Sequence, residues 1–220
     1  MKIALCMSGI PRGELQVVEF IKNMSEYHDC HLFLHTWDSS NFPNQESWSK
    51  KQSAPFSISD LPLSLDKIMH ENEDYNDYAP QFKEIYDKIP EELRWRTDLG
   101  ICSMFYGIKK ASLLKEEYEK TNQEKFDCAF RIRFETKIRM ITLENFDLSK
   151  LHIPNFETYP INDQFAFSNS TMMSYYSSCY DSIVECAKLD LYHPERILNQ
   201  HLKKSNVDIS LLNFGNEMML

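Results

Sequence analysis

Apolar and polar side chains alternate most clearly over residues 126–135. Four apolar side chains would point one way along this stretch: Cys128, Phe130, Ile132 and Phe134. The opposite face would carry Ala129, Arg131, Arg133 and Glu135. This period of two predicts a β-strand, and its apolar face predicts a place in the centre of a sheet. A buried arginine is costly unless it is paired or meets an anion, so the second face indicates a ligand site, an internal Arg–Glu ion pair or an ordinary solvated face.

Shorter apolar runs predict the other strands of the sheet. They cover residues 2–7, 30–35, 65–70, 151–154, 162–167 and 207–213. Apolar residues at helical spacing predict helices from residue 14 onwards, from Thr97 or Asp98 through Tyr118, over 170–188 and over 194–202. Because strands alternate with helices, we expect a single α/β domain over residues 1–220. Its fold would be a Rossmann-like sandwich with a mixed, mainly parallel central sheet flanked by helices.

Two polar segments interrupt this alternation. Residues 39–62 are rich in Pro, Ser and Asn, which predicts an irregular excursion, and a long loop in a compact domain more often serves function than not. Residues 71–77 are acidic, and we expect them to lie in solvent.

Composition narrows the classes of function. With 220 residues, 42% of them apolar and 13% aromatic, the chain can bury a full core. The net charge of −9 disfavours nucleic-acid binding, which usually needs a basic face. Six cysteines are scattered without a CxxC pair, so neither a disulfide framework nor a structural zinc site is expected. The opening apolar run is too short for a signal peptide or a bilayer span, which predicts a cytoplasmic protein with no transmembrane segment.

The loop after the first predicted strand reads Ser8-Gly9-Ile10-Pro11-Arg12-Gly13. A strand, a tight glycine loop and a helix together offer backbone N–H groups and a helix dipole to a phosphate. The loop has neither GxGxxG spacing nor a Walker GK[ST], so Arg12 would have to supply the charge. A turn that uses Gly and Pro merely to reverse direction has the same composition.

Polar residues follow three of the predicted strands. They are Ser8 and Arg12 after the first, His35 and Asp38 after the second, and Arg133 and Glu135 at the end of the stretch 126–135. The carboxyl ends of parallel strands form one edge of a sheet, where ligands of α/β proteins bind. This combination of cationic groups, a carboxylate and small loops predicts a diphosphate-bearing ligand better than a neutral metabolite.

Five short motifs occur in an order that resembles a known family. They are Ser8-Gly-x-Pro-Arg12, His35-Thr-Trp-Asp38, the stretch 126–135, Asn162-Asp-Gln-Phe-Ala-Phe167 and His193-Pro-Glu195. Together they resemble a group of small glycosyltransferase-like proteins of bacteria and large viruses, which have a GT-A fold and act in surface-polysaccharide or glycan assembly. The resemblance covers nearly the whole chain apart from residues 39–61.

The resemblance implies a nucleoside-diphosphate sugar as donor and a glycan or polysaccharide as acceptor. It implies donor contacts from Ser8, Gly9, Pro11, Arg12, Asp38, Arg131 and Arg133. Glu135 would stand at the last Asp of the family's metal-binding DxD motif, while Arg133 replaces the first. A single carboxylate can still hold Mn²⁺ or Mg²⁺ when the diphosphate and water complete the oxygen shell, or Arg133 can neutralise the diphosphate directly. Metal dependence therefore stays open.

An inverting enzyme of this kind needs a carboxylate to take the acceptor's proton, and Asp163 and Glu195 are the candidates, with Asp163 preferred. Each also has a structural interpretation, Asp163 as a turn residue and Glu195 as a favourable charge in the first turn of a helix. Two other functions stay open. The missing first Asp suggests a catalytically inactive nucleotide-sugar or glycan-binding module, and the Ser-Gly-x-Pro-Arg motif suggests a sulfotransferase-like enzyme. The residues do not predict the donor sugar, the stereochemical outcome or the oligomeric state.

Overall fold

A computed structural model of the chain describes residues 1–10, 17–38, 57–94, 99–134, 138, 140–155 and 159–213. The strands are β1 (Lys2–Gly9), β2 (Asp29–Trp37), β3 (Ile68–Glu73), β4 (Cys128–Ile132), β5 (Leu151–Pro154), β6 (Ala166–Ser168) and β7 (Ile209–Leu212). The α-helices are α1 (Val17–Tyr27), α2 (Tyr75–Asp87), α3 (Gly100–Asn122), α4 (Ser170–Ser177), α5 (Ile183–Leu189) and α6 (Pro194–Lys204). Strands and helices alternate along most of the chain, as its pattern predicts.

The seven strands of the described ranges form one sheet in the order β3-β2-β1-β4-β6-β5-β7. β6 runs antiparallel to both of its neighbours, and the other pairs are parallel. The predicted mixed, mainly parallel sheet is confirmed, and β4 lies at its centre. β4 is shorter than the pattern predicts, because its pairing with β1 ends where Ile132 stands opposite Met7.

The two faces of β4 bury different kinds of side chain, as its alternation predicts. Phe130 and Ile132 belong to an apolar core that includes Phe20 of α1. The rings of Phe20 and Phe130 meet edge to face, with their centroids 5.6 Å apart. Burial of a side chain of this size contributes roughly 1.5–3 kcal/mol, so this face anchors β4 in the fold. The opposite face carries Ala129 and Arg131, and Ala129 packs in a second core with α3.

Helix α3 covers that second face and packs along β1 and β2. Phe105 and Ile108 are buried on its inner side. Between them, Gly107 passes over Ser8 and His35. A Cβ at position 107 would stand 3.1 Å from His35 Nδ1 and 3.3 Å from Ser8 Cβ, so a glycine lets the helix approach these two strand ends closely.

Strand β3 lies three residues further along the chain than predicted. Residues 65–67 form a 3-10 turn, and the acidic residues expected in solvent belong partly to the strand. The expectation of a solvated segment holds for Asn72 and Asp77 but was wrong for Glu73, because other elements satisfy its charge. Lys110 of α3 lies 2.8 Å from a Glu71 oxygen and 3.1 Å from a Glu73 oxygen, which holds the two carboxylates against the sheet.

Helix α2 has no counterpart among the predicted elements. The Asp74 side chain caps it by accepting a hydrogen bond of 2.9 Å from the Asn76 N–H. Phe82 and Tyr86 are buried at helical spacing. The acidic residues before the helix and Pro80 inside it hide this pattern in the sequence, since proline is disfavoured in a helix interior.

The helix predicted over residues 170–188 is divided in the structure. A 3-10 segment, Ser178–Ser182, separates α4 from α5. The hydroxyls of Ser178 and Ser182 donate to the carbonyls of Tyr175 and Cys179. Such local side-chain bonds compete with the regular helix, which accounts for the tighter turns.

Some predictions fall outside the described residues, namely the helix start at residue 14, the start at Thr97 or Asp98 and the excursion over 39–56. All six cysteines are buried thiols, in line with their apolar surroundings in the sequence. Of the helices within the described ranges, none combines the length and the apolar character needed to cross a bilayer.

Candidate functional site

Three predicted site residues meet where the parallel strands end. This carboxyl edge is defined here by Ser8, Arg131 and Asp163. Ser8 and Arg131 are the second-last residues of the neighbouring strands β1 and β4. Because β6 is antiparallel to β4, the chain enters β6 at the same edge, and Ala166 of β6 pairs with Arg131. Asp163 precedes Ala166 by three residues, so the sheet topology brings it to the same edge as Ser8 and Arg131.

Arg131 is buried, with only 2% of its surface exposed. Its Nη1 donates hydrogen bonds to the Ser8 hydroxyl at 3.2 Å and to the Ile132 carbonyl at 2.6 Å. A guanidinium in a protein interior needs such partners, because desolvation of its charge is costly. The bond to Ser8 ties β4 to β1 at the carboxyl edge. Arg133 follows β4 directly and is partly exposed.

Asp163 is 5% exposed and forms no hydrogen bond with another described residue. It acts electrostatically on Tyr176 of α4, as Arg131 also does. Burial raises the pKa of the Tyr176 hydroxyl, while Arg131 lowers it and Asp163 raises it. This hydroxyl is itself buried and has no hydrogen-bond partner in the described part of the chain. The carboxyl edge thus holds one buried hydroxyl without a hydrogen-bond partner among the described residues, beside the Asp163 carboxylate.

His35 lies beside Ser8 on the neighbouring strand β2 and is fully buried. Its Nε2 lies 2.9 Å from Oε2 of Glu73 on β3. A carboxylate only accepts hydrogen bonds, so Nε2 carries the proton and Nδ1 of the neutral ring is an acceptor. Burial lowers the pKa of His35, and the hydrogen bond to Glu73 opposes this without reversing it. The imidazole is therefore neutral at pH 7.

Glu73 collects hydrogen bonds from three elements. Besides His35 on β2, the Tyr78 hydroxyl of α2 donates to it at 2.7 Å, and the Lys110 ammonium of α3 lies 3.1 Å away. Burial alone would raise the pKa of Glu73, but these donors lower it. The carboxylate stays charged, and it fixes the tautomer of His35.

Gly9 and Asp38 shape the backbone of the carboxyl edge. Gly9 ends β1 with a φ of +127°, a conformation that L side chains rarely adopt, so glycine suits the exit from this strand. Asp38 follows β2, and its N–H donates to the Glu73 carbonyl at 2.8 Å, which extends the pairing with β3. The Asp38 side chain is partly exposed.

Glu195 belongs to a different cluster, in the first turn of α6. Its Oε2 lies 2.7 Å from Nδ1 of His193, the residue before the helix. Arg196 beside it donates to the Tyr159 hydroxyl at 2.9 Å. A carboxylate in this position is favoured by the helix dipole, which matches its structural interpretation. Tyr159 stands four residues before Asp163, so one short segment of chain joins the two clusters.

Pro11, Arg12 and Glu135 lie outside the described residues. The anion loop and the metal ligand therefore stay predictions. Among the residues whose positions are described, no group of three or more His, Cys, Asp or Glu side chains is arranged to hold a metal ion.

Glu73, Tyr176 and Gly107 take part in this site without having been predicted as site residues. Glu73 and Tyr176 reach the edge from β3 and α4, and no spacing along the chain connects them with Arg131. Gly107 does carry a signal. A glycine inside a long apolar helical stripe, in a chain with five glycines in all, indicates a close approach of another element.

A cavity of about 470 Å³ opens at the opposite edge of the sheet, where β4 begins. Phe126, Asn169, Ser170 and Tyr175 are among the residues that line it. None of the predicted site residues within the described ranges lines it. The cavity is therefore separate from the carboxyl edge.

In comparisons with known proteins, no family model and no curated sequence matches the chain. The resemblance to GT-A glycosyltransferase-like proteins rests on the five motifs alone.

Proposed function

We propose that this protein is a glycosyltransferase of GT-A type that moves a sugar from a nucleoside-diphosphate donor to a glycan acceptor. The observation that carries the proposal is the hydrogen bond of 3.2 Å between Arg131 and Ser8, which holds a guanidinium at the carboxyl edge. Ligands of open α/β sheets bind beyond this edge, and the fork of a guanidinium suits a diphosphate. Asp163 supplies the carboxylate that inverting transfer to a hydroxyl requires.

In the proposed reaction, the acceptor's hydroxyl oxygen attacks the anomeric carbon of the donor sugar. The bond from that carbon to the diphosphate oxygen breaks, and its electron pair leaves with the nucleoside diphosphate. Arg131, together with Arg12 and Arg133, stabilises the negative charge that develops there. The Asp163 carboxylate takes the acceptor's proton. Glu195 is the second candidate for this base, but its contact with His193 already gives it a partner.

A divalent cation would be held by Glu135. Mn²⁺ or Mg²⁺ bound there would add positive charge at the diphosphate. Arg131 and Arg133 come from the same end of β4 and offer positive charge of their own, so the residues present fit either arrangement. No step of the proposed reaction depends on the cation.

A nucleotide-sugar-binding module without catalysis is the second candidate. One observation favours it. The end of β4 keeps two arginines for a diphosphate, but Arg133 stands where the resemblance would place the first acidic ligand of a metal. A sulfotransferase-like activity has no such support, since its phosphate loop would lie largely in residues 11–16, outside the described ranges.

The test measures donor binding and donor turnover separately. A thermal-shift screen of nucleoside diphosphates and their sugars, with and without Mn²⁺, identifies the donor, because a ligand that binds only the native state raises Tm. Hydrolysis of that donor is then followed over time. We expect a rise in Tm with at least one nucleoside-diphosphate sugar and slow hydrolysis of the same compound. Binding without hydrolysis would assign the module instead, and no shift with any donor would overturn both proposals.

A further inference from the structure

A row of polar side chains crosses the carboxyl edge from β3 to β4. It runs from Glu73 through His35 and Ser8 to Arg131. Two of its links are hydrogen bonds, 2.9 Å from His35 Nε2 to Glu73 Oε2 and 3.2 Å from Arg131 Nη1 to Ser8 Oγ. The middle link, between His35 Nδ1 and Ser8 Oγ, is not a hydrogen bond in this conformation.

The two atoms of the middle link are complementary. His35 Nδ1 is a buried acceptor that has no hydrogen-bond partner in the described part of the chain. The Ser8 hydroxyl accepts from Arg131, which leaves its own proton to be donated. A Cβ at Gly107 would stand 3.1 Å from Nδ1 and 3.6 Å from Ser8 Oγ, so both atoms border the same small space under α3. A hydrogen bond between these two atoms would complete the row.

We propose that His35 is a positioning residue for a phosphate group bound at Ser8 and Arg131, and that it takes up a proton when this group binds. The inference rests on the proposed function, because it takes the donor's diphosphate as the ligand. In the ligand-free protein, the His35 ring is neutral and its Nδ1 has no hydrogen-bond partner among the described residues. When the phosphate arrives, Ser8 turns its proton to a phosphate oxygen. Nδ1 then takes a proton from solvent and donates it to Ser8 Oγ, which can accept from Arg131 at the same time.

The charges around His35 decide when its protonated form is favoured. The titratable groups that face it are Glu71, Glu73 and His70 on β3, Lys110 and Tyr106 on α3, and Arg131 on β4 behind Ser8. Burial lowers the pKa of His35 in the ligand-free protein. A bound diphosphate adds negative charge beside Ser8 and raises this pKa again, because an opposite charge favours the imidazolium.

Linkage fixes the sign of the effect on binding. Where His35 is neutral in the free protein and protonated in the complex, binding takes up one proton. Kd then falls by up to about tenfold for each unit by which the pH falls. Outside the interval between the two pKa values of His35, Kd does not depend on this group.

Calorimetry in two buffers of different ionisation enthalpy measures the proton directly, with inorganic pyrophosphate as the probe. Near neutral pH, between the two pKa values of His35, we expect the parent protein to take up more protons than His35→Gln, by at most one. The titration of pyrophosphate itself is common to all variants and cancels in this difference. His70→Gln is the matched control, because His70 is a neighbouring histidine that bonds to Thr36 instead, and it should behave like the parent.

Two substitutions of His35 separate positioning from a structural role. The amide of glutamine can reach Glu73 in place of Nε2, but glutamine has no acceptor where Nδ1 stood. The amide of asparagine places a polar atom where Nδ1 stood, but it is too short to reach Glu73. Neither titrates, so both should lose the proton uptake. At about pH 8 we expect His35→Asn to keep its pyrophosphate affinity within about twofold and His35→Gln to lose about tenfold, the size of one hydrogen bond. A purely structural His35 predicts the reverse order.

Gly107→Ala tests the same link without changing either partner. The new Cβ would meet His35 Nδ1 at 3.1 Å, so pyrophosphate affinity should fall although alanine favours the helix.

Equal proton uptake in the parent and in His35→Gln, with binding intact, would overturn the role of His35 and leave the proposed function standing. No binding of pyrophosphate or of any nucleotide sugar would overturn both. If His35→Gln does not fold, NMR of the parent protein tests the proposal instead. A chemical shift of the His35 ring that pyrophosphate does not change at pH 7 would contradict the proton uptake.

Discussion

Two buried polar clusters of this protein differ in how their hydrogen bonds are completed. Lys115 on α3 has no exposed surface, and its ammonium donates to the Ser170 carbonyl, the Ser170 hydroxyl and the Ser174 hydroxyl at 3.1, 2.6 and 2.9 Å. At the carboxyl edge, Asp163 and Tyr176 are buried almost as deeply, yet neither forms a hydrogen bond with a described residue. The first cluster uses every donor of its central charge within the fold, and the second leaves the Tyr176 hydroxyl and the Asp163 carboxylate without a hydrogen bond to the described residues.

On the proposed function, this difference separates burial that serves the fold from burial that serves a ligand. A buried polar group without a partner costs about 1–3 kcal/mol of stability, so a chain rarely keeps one without a reason. Substitutions in the Lys115 cluster should therefore act on the free energy of unfolding. Substitutions of Asp163 and Tyr176 should mainly change the affinity for the donor and the rate of its turnover.

Asp163→Asn should have the largest effect, on turnover. The amide keeps the shape of the side chain but cannot take the acceptor's proton, so the initial rate of transfer or donor hydrolysis should fall by about 10²–10⁴-fold. Tm should stay level or rise, because a buried charge becomes a neutral group. Glu195→Gln is the matched control. An equal loss of rate in that variant would move the base to α6, and a lower Tm with normal turnover in Asp163→Asn would give Asp163 a structural role.

Lys115→Ala should have the next largest effect, on stability. It removes the donor that Ser170 and Ser174 share and the cation 3.6 Å from Glu119, so the free energy of unfolding should fall by about 3–5 kcal/mol. Urea unfolding measures it. Lys115→Met keeps the apolar stem and should cost less. The donor affinity of the folded variants should match that of the parent. A loss of donor binding at unchanged stability would show that the Lys115 cluster serves the ligand and not the fold.

The sequence predicts the carboxyl edge only in part, and particular residues show why. The alternation along one strand predicts that Phe130 and Arg131 lie on opposite faces of the sheet. Asp163 is also visible in the sequence, because it stands at the start of an apolar run. Glu73 carries no such signal, because it sits in an acidic stretch and becomes buried only through the pairing of β3 with β2. Tyr176 has none either, since it reaches Asp163 and Arg131 through the packing of α4 on β4. Local pattern therefore predicts the strand and its charge, while tertiary packing decides which groups join it.

Tyr176→Phe should raise stability while it weakens donor binding. The change removes a buried hydroxyl that lacks a hydrogen bond among the described residues, which should add about 1 kcal/mol to the free energy of unfolding and raise Tm by about 2–4 °C. Tyr192→Phe is the control, because the Tyr192 hydroxyl lies 3.2 Å from the Cys102 sulfur and its loss should lower Tm. Scanning calorimetry compares the two. A lower Tm in Tyr176→Phe would show that its hydroxyl is already satisfied in the free protein.

The smallest expected effect concerns pH, and it compares two buried histidines. His201 has both ring nitrogens engaged, with Nδ1 2.8 Å from the Ser182 hydroxyl and Nε2 2.9 Å from the Tyr175 carbonyl. Burial lowers the pKa of His201 as it lowers that of His35. Each ring thus binds a proton more readily in the unfolded chain. Their contribution to stability is complete above the ordinary histidine pKa and falls as the pH drops below it, by at most about 1.4 kcal/mol per pH unit for each ring.

Urea unfolding at several values between about pH 8 and about pH 5 checks this slope. The free energy of unfolding should decrease toward acid in the parent protein and decrease less in His201→Gln. Saturating pyrophosphate should remove the contribution of His35 to this pH dependence, because the complex holds that ring protonated. It should leave the contribution of His201 unchanged. A slope that pyrophosphate does not change would place His35 with His201, as a histidine that serves only the fold.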